Sequence, residues 1–238
     1  MKNLILTTAA LAFTAGLAFA QDTVLLATEG AYKPWNYVND DGDLAGFEIE
    51  LGNELCKRAS LNCKFIKNDW DSMIPKLRNG DFHAIIAGMS ITPERAEKID
   101  FTTNYSQPDP SMHLALSASV DLAGGVIAAQ SNTIQSDYLE TSGATLLEFS
   151  TPDDTIAAVR NGEADAVLAD KSFLEPIAAE DSELMLVGED IMLGGGVGMG
   201  IKKSNSNLKE KFSDAINAMK ADGSLNALIT KWGIGATF

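Results

Sequence analysis

The sequence predicts an α/β fold built as two lobes of similar design. Residues 77–88 are repeated in outline 82 positions later, at residues 159–170. Each copy has the pattern of a helix end, a glycine, a charged turn and a short apolar strand. Gly80 and Gly162 stand directly after a helix, where a left-handed residue is favoured. Two unrelated α/β units with charged surfaces are the alternative.

The two repeated strands are followed by side chains of opposite charge. The first strand leads into a polar segment with Ser90, Thr92 and Arg95, and the second ends at Asp170. Ligands of open α/β sheets lie beyond the carboxyl ends of the strands. One lobe would therefore offer hydroxyls and a guanidinium, and the other a carboxylate. This pairing predicts that a small zwitterion is bound between the lobes.

The N-terminus has the pattern of a secretory signal peptide. Lys2 precedes an apolar run over residues 4–18, and residues 18–20 form a small-x-small cleavage site. The run is shorter than the roughly 20 residues that a membrane-spanning helix needs. Residue 21 is glutamine, not the cysteine of a lipoprotein. We expect residues 1–20 to be removed and the remainder to be a soluble periplasmic protein.

The amino-acid composition argues against several kinds of binding partner and of catalytic site. Acidic residues outnumber basic ones by 33 to 18, and the net charge of −15 argues against nucleic acid or an anionic membrane surface. Two histidines leave few members for a zinc site or a catalytic triad. Cys56 and Cys63 are expected to pair in an oxidising compartment. We expect a binding protein without a metal or a cofactor.

Periodicity and caps predict the elements of the first part of the chain. They are strands over residues 23–28 and 63–67, a helix from about 46 to 59, and a helix with Asp71 as N-cap that ends at Gly80. Glu29 and Tyr32 follow the first strand directly, and Trp70 would face the same edge. For either aromatic residue, core packing is the alternative to ligand contact.

Thr92 and Pro93 mark a further helix start, with Thr92 as N-cap and Pro93 as the first helical residue. A helix N-terminus favours an anion, and Arg95 in the first turn adds a bidentate donor. Together with Ser90, this pattern favours an anion-binding site. The alternative is a solvated Arg95 near Glu94.

The remaining chain is predicted to cross to a second lobe and return. Residues 101–109 read as the first crossover, and residues 193–201 as the return. Between them we predict strands over residues 111–116, 124–129, 145–149 and 184–187, with helices from about 134 and over 152–161. Thr133 could donate to a ligand or serve as a plain N-cap, and the second role does not exclude the first. Amphipathic helices over residues 207–219 and 225–232 pack back on the first lobe.

Several motifs together carry a resemblance to a known family. They are Glu29-Gly30-x-Tyr32-x-Pro34-Trp35, Gly46-Phe47-Glu48-Ile49-Glu50-Leu51, Ser90-x-Thr92-x-x-Arg95 and Ala164-Asp165-Ala166-Val167 with Asp170. The chain resembles the periplasmic substrate-binding proteins of polar amino acid ABC transporters, over nearly all of residues 21–238. The resemblance implies the two-lobed type II periplasmic binding protein fold, with two hinge crossovers and a cleft between lobes. Residues 21–108 and 192–238 would form lobe 1, and residues 109–191 lobe 2.

The same resemblance implies roles for individual residues. Arg95 would hold the α-carboxylate of an amino acid, helped by Ser90, Thr133 and the backbone N–H of Gly88. Asp170 would take the α-ammonium. The ligand side chain would lie between Tyr32 and Trp70, with Glu29 at its far end. A disulfide between Cys56 and Cys63 matches the members that bind basic amino acids.

Some positions depart from the family pattern. Ala87 and Gly88 stand where close relatives carry hydroxyls, Ser131 replaces a glycine, and His83 replaces an aspartate. The resemblance is closest to members that bind lysine, arginine and ornithine, or opines.

We therefore expect a monomeric receptor that delivers an L-amino acid to an ABC permease. Arginine is the first expectation, then ornithine or lysine, or an opine derivative, because Glu29 between two aromatic rings suits a cation. Glutamine or broad polar amino acid binding is an alternative. A periplasmic dehydratase or lyase on the same fold is another, with Glu29 as its acid–base group.

Overall fold

The computed structural model describes residues 23–238, and the expected signal peptide lies outside these residues. In chain order the strands are β1 (Val24–Thr28), β2 (Ala31–Tyr32), β3 (Asn36–Val38), β4 (Leu44–Ala45), β5 (Cys63–Lys67), β6 (Ala84–Ile85), β7 (Asp100–Phe101), β8 (Ser111–Ala115), β9 (Val126–Gln130), β10 (Thr145–Phe149), β11 (Ala166–Asp170), β12 (Met185–Ile191) and β13 (Gly200–Ile201). The helices are α1 (Phe47–Arg58), α2 (Met73–Asn79), α3 (Pro93–Lys98), α4 (Ile134–Ser142), α5 (Pro152–Asn161), α6 (Lys171–Glu180), α7 (Ser206–Ala221) and α8 (Ser224–Trp232).

The first lobe is built on a five-stranded sheet in the order β5-β1-β6-β13-β7. β1 pairs in parallel with β5 and β6, while β13 is antiparallel to its two neighbours. The carboxyl ends of β1 and β6 therefore lie side by side. A small sheet of β2, β3 and β4 follows β1.

The second lobe repeats this plan with the strand order β10-β9-β11-β8-β12. The strands of the repeated sequence segment, β6 and β11, both occupy the central position of their sheets. The helices that precede them both end at a glycine with positive φ, 93° at Gly80 and 74° at Gly162. The predicted α/β fold with two lobes of similar build is confirmed.

Two crossovers join the lobes. One runs between β7 and β8, and the other between β12 and β13. They lie side by side, because Ser106 and Val197 form an antiparallel bridge in which the Val197 N–H donates to the Ser106 carbonyl at 3.2 Å. That the lobes divide after residues 108 and 191 stays a prediction.

Each lobe has its own apolar core. In the first, α1, α7 and α8 pack on the sheet through fully buried side chains such as Leu51, Phe212 and Ile229. In the second, α5 and α6 pack on the sheet through Val159, Leu174 and their neighbours. The expected disulfide links Cys56 in α1 to Cys63 in β5. It therefore ties the end of a helix to the strand that follows.

One helix prediction is wrong, and one helix was not predicted. Asp71 is not the N-cap of α2, because a 3-10 turn over Trp70–Ser72 precedes the helix, which begins at Met73. The sequence analysis also missed α6, which carries Pro176 in its interior. A proline inside a helix normally breaks it, so the sequence did not indicate a helix over these residues.

Candidate ligand-binding site

All eight residues predicted to bind the ligand line one cavity between the lobes. They are Glu29, Tyr32, Trp70, Gly88, Ser90, Arg95, Thr133 and Asp170. Four further residues complete the lining: Ala87, Gln130, Ile134 and Gln135.

Arg95 is fixed at the start of α3. Its backbone N–H donates to Oγ1 of the N-cap Thr92 at 3.2 Å, as predicted from the sequence. The guanidinium donates through Nη1 to the Ser90 carbonyl (2.9 Å) and through Nη2 to the Asn132 carbonyl (3.1 Å). Arg95 is 8% exposed, and burial lowers its pKa, but a guanidinium stays charged in proteins. Its other N–H groups can donate hydrogen bonds to a bound anion.

Asp170 ends β11 on the opposite side of the cavity. Its carboxylate accepts from the Tyr32 hydroxyl (2.9 Å) and from Nε2 of Gln135 (2.7 Å). Burial, with the nearby charge of Asp109, raises the pKa of Asp170 to about 7, although both hydrogen bonds favour the charged form. A buried carboxylate of this kind is suited to a cationic partner, because an opposite charge favours its ionised form.

Glu29 is the second buried carboxylate of the cavity. It follows β1 and accepts from Nε2 of Gln130, at the end of β9, at 2.7 Å. Burial raises the pKa of Glu29 to about 7, and the hydrogen bond from Gln130 opposes this. The cavity thus has one fixed cation, Arg95, and two carboxyl groups that a bound cation would keep ionised.

The two aromatic residues are held differently. Tyr32 stacks on Phe173 of α6, with ring centroids 4.2 Å apart and an interplanar angle of 8°. One face of Tyr32 is therefore covered by the second lobe. Trp70 lies under the Arg95 guanidinium, 5.4 Å from the ring centroid. That these rings enclose a ligand side chain stays a prediction.

Two of the expected donors already have partners. The Gly88 N–H donates to Oε1 of Glu48 at 2.7 Å. The Thr133 hydroxyl donates to the Gln130 carbonyl (2.7 Å) and accepts from the Ser136 N–H (3.2 Å), as the N-cap of α4. Donation by Gly88 or Thr133 to a ligand carboxylate stays a prediction, and Gly88 would have to release or share its bond to Glu48 to make it.

Direct contacts between the lobes close the cavity on one side. Oδ1 of Asp71 accepts from Oγ of Ser131 and from Nδ2 of Asn132, both at 2.8 Å. Nε1 of Trp70 donates to the Asn132 carbonyl at 3.3 Å. Asn132 has a φ of 57°, a region that asparagine tolerates better than most residues. We refer to Asp71, Ser131 and Asn132 as the cleft latch.

Sequence reasoning missed Gln130, Gln135 and the cleft latch. Gln130 is the last residue of β9, and the predicted site residues also lie at or just after strand ends. Its position at a strand end was therefore the one sequence signal that could have pointed to it. Its partner Glu29 lies 101 residues away and in the other lobe. No local pattern reports such a pairing.

Residues 24–235 match the family described as bacterial extracellular solute-binding proteins, family 3. With this fold and a cavity between two lobes, the chain belongs to that family of two-lobed binding proteins. Among solved structures it is similar to a periplasmic His/Glu/Gln/Arg/opine family-binding protein from Silicibacter pomeroyi in complex with lysine. The identity is 59%, the TM-score is 0.86, and the match covers 88% of this chain and 96% of that one.

Two further relatives align with this chain over most of its length and of their own. The L-arginine-binding protein of Pseudomonas aeruginosa is 31% identical over 90% of this chain and 89% of its own length. The octopine-binding periplasmic protein of Rhizobium meliloti is 29% identical over 94% and 95%.

Two features are absent from residues 23–238. No helix in that range has both the length and the apolar character needed to cross a bilayer. The same range holds no cluster of three or more histidine, cysteine, aspartate or glutamate side chains placed to bind a metal ion.

Proposed function

We propose that this protein is a periplasmic receptor for an L-amino acid with a cationic side chain. Arginine is the first candidate, followed by ornithine, lysine and opine derivatives. Arg95 holds the α-carboxylate, Asp170 takes the α-ammonium, and Glu29 meets the distal cation. Tyr32 and Trp70 flank the aliphatic part of the side chain.

One observation carries the proposal. Arg95 from the first lobe and Asp170 from the second line the same cavity, and a second buried carboxylate, Glu29, lines it as well. Of these three charges, one is positive and two are negative. A ligand with one carboxylate and two cationic groups complements them, whereas glutamate would bring an anion to Glu29 and leave it uncompensated.

Calorimetry against the twenty amino acids and an opine panel tests the ligand class. Arginine, ornithine and lysine should bind more tightly than glutamine, and glutamate should not bind. Tight binding of glutamate without binding of arginine or glutamine would overturn the assignment of Glu29. Thermal shifts provide a parallel reading, because a ligand of the folded state raises the melting temperature.

We infer that the protein does not transform its ligand. Glu29, the acid–base group that a dehydratase or lyase would use, is held by Gln130 at 2.7 Å and is positioned to pair with a distal cation. Recovery of unchanged arginine after long incubation, checked by mass spectrometry, is the expected result. A product with altered mass would favour the enzyme.

The cellular role follows from the same proposal. We propose that residues 1–20 direct export, that residues 21–108 and 192–238 form one lobe and residues 109–191 the other, and that the closed monomer presents both lobes to an ABC permease. Sedimentation of the purified protein should give a single monomeric species. A stable dimer at micromolar concentration would contradict this part.

A further inference from the structure

Glu48 places a fully buried carboxylate in the first turn of α1, outside the ligand cavity. It accepts hydrogen bonds from three different segments: from the Gly88 N–H at 2.7 Å, from Nδ2 of Asn36 at 2.7 Å, and from the Tyr105 hydroxyl. Burial raises the pKa of Glu48, and the three donors act against this by favouring the ionised form.

The two oxygens of this carboxylate reach two different loops. Oε1 accepts from Gly88, three residues after the end of β6. Oε2 accepts from Asn36, whose Oδ1 in turn accepts from the Gly30 N–H at 2.7 Å, just after β1. A continuous chain of hydrogen bonds therefore runs from Gly30 through Asn36 and Glu48 to Gly88.

Both loops carry residues of the site. Gly30 is adjacent to Glu29, and Gly88 precedes Ser90 and Arg95. β1 and β6 are neighbouring parallel strands, in register at Leu26 and Ala84. The strands fix the loops where they begin, and the hydrogen-bonded chain through Glu48 fixes them again beyond the strand ends.

We propose that Glu48 is a positioning residue that sets the distance between Glu29 and the Arg95 segment, and thereby selects ligands by the length of their side chain. The inference rests on the proposed function, in which Glu29 and Arg95 contact opposite ends of one amino acid. Glu48 itself does not touch the ligand.

Glu48→Gln tests the proposal with little change in volume. The remaining amide oxygen can accept from Gly88 and Tyr105, but the new amide NH₂ then faces Nδ2 of Asn36. If the Asn36 amide turns over to accept, its NH₂ meets the Gly30 N–H instead. In either orientation of Asn36, two donors face each other at one point of the chain. The hydrogen-bonded connection from residue 48 through Asn36 to Gly30 is therefore broken.

A second substitution should restore the link with reversed polarity. In the paired variant Glu48→Gln, Asn36→Asp, the new amide donates to the new carboxylate, whose other oxygen accepts from Gly30. The number of buried charges is unchanged. Asn36→Asp alone places two carboxylates together and should be as damaging as Glu48→Gln.

The measurement is the affinity of each variant for ornithine, lysine and arginine by calorimetry. Wild type is titrated first, and if it binds none of them, the proposed function fails and this inference with it. In a wild type that binds, Glu48→Gln should lower affinity about tenfold. It should also change the arginine-to-ornithine affinity ratio at least threefold, and the paired variant should restore that ratio.

Tyr105→Phe is the matched control. It removes one hydrogen bond to Glu48 and leaves both loop contacts in place, so the affinity ratio should stay at the wild-type value. A purely structural role for Glu48 predicts equal losses for all three ligands and no rescue, and either result overturns the proposal. If the single variants do not fold, the paired variant decides: loss of its fold or of the wild-type ratio also overturns the proposal.

Discussion

Arg95 is the residue from which we expect the largest single contribution to ligand affinity. Arg95→Ala removes the proposed bidentate partner of the α-carboxylate, and truncating one member of a buried charged pair typically costs about 2–5 kcal/mol of binding free energy. Calorimetry with arginine measures the loss. Arg78→Ala, at an exposed arginine of α2, is the matched control and should bind as wild type does. Equal affinity in Arg95→Ala and wild type would show that Arg95 is structural.

The two carboxyl groups of the cavity lead to a prediction about protons. The pKa values of Glu29 and Asp170 are both raised to about 7, mainly by burial. A bound cation favours the ionised forms and lowers both pKa values, so binding near pH 7 should release protons. Affinity for arginine should therefore rise with pH up to about 7 and level off above it.

Calorimetry in buffers of different ionisation enthalpy counts the released protons. Glu29→Gln removes one of the two titrating groups and should reduce the count at pH 7. Proton uptake on binding, or an affinity that falls as pH rises from 5 to 7, would contradict the assignment of cationic groups to these carboxyls.

At the scale of single elements, β8 carries a buried histidine that should affect stability in acid. His113 is 5% exposed, and within residues 23–238 neither ring nitrogen finds a hydrogen-bond partner. Burial lowers its pKa, so the unfolded chain binds a proton more readily than the folded one. The stability that this difference contributes is present above the unfolded pKa of about 6.5 and is lost as pH falls below it.

His113→Leu should remove that part of the pH dependence. Urea unfolding at pH 8 and pH 5 gives the free energy of unfolding of both proteins. The decrease between the two pH values should be smaller in the variant, by at most about 2 kcal/mol, which is the free energy of protonating a group of pKa about 6.5 at pH 5. An equal decrease in both proteins would mean that the folded chain protonates His113 as readily as the unfolded chain does.

The elements also show what could be predicted from sequence. Helices with a Thr-Pro start, α3 and α5, were placed correctly, because a cap and a fixed φ act within a few residues. Asp71 was given the wrong role because its donors are Ser131 and Asn132, 60 and 61 residues away. Several residues of the cavity were predictable from strand ends, and the N-cap role of Thr133 was one of the two roles considered. The bond from the Gly88 N–H to Glu48 was not predictable, because Glu48 lies 40 residues away.

At the scale of the whole molecule, the cleft latch should favour the closed arrangement of the lobes. Asp71→Ala removes two hydrogen bonds to a carboxylate at the exposed edge of the cleft, together worth about 1 kcal/mol after allowance for solvent. The ligand should dissociate roughly five times faster, with little change in the rate of association. Stopped-flow measurements would separate the two rates.

Asp69→Ala is the control for this variant, because it removes the same charge two residues away from the latch. Small-angle scattering of the ligand-free protein gives a second test. The Asp71→Ala variant should have a larger radius of gyration than wild type, and saturating ligand should remove the difference. Identical dissociation rates in Asp71→Ala and Asp69→Ala would show that the latch contributes nothing to closure.

The bridge between Ser106 and Val197 brings the two chain crossings together. Everything between them is one uninterrupted stretch of polypeptide that leaves and re-enters the first lobe at nearly the same place. That stretch could be exchanged as a unit with the corresponding stretch of a relative, with only two short junctions to match. The exchanged stretch would contain Asp170 and Gln130, whereas Arg95 and Glu29 belong to the part that is kept. The cavity of such a hybrid would therefore combine ligand-binding residues from both parent proteins.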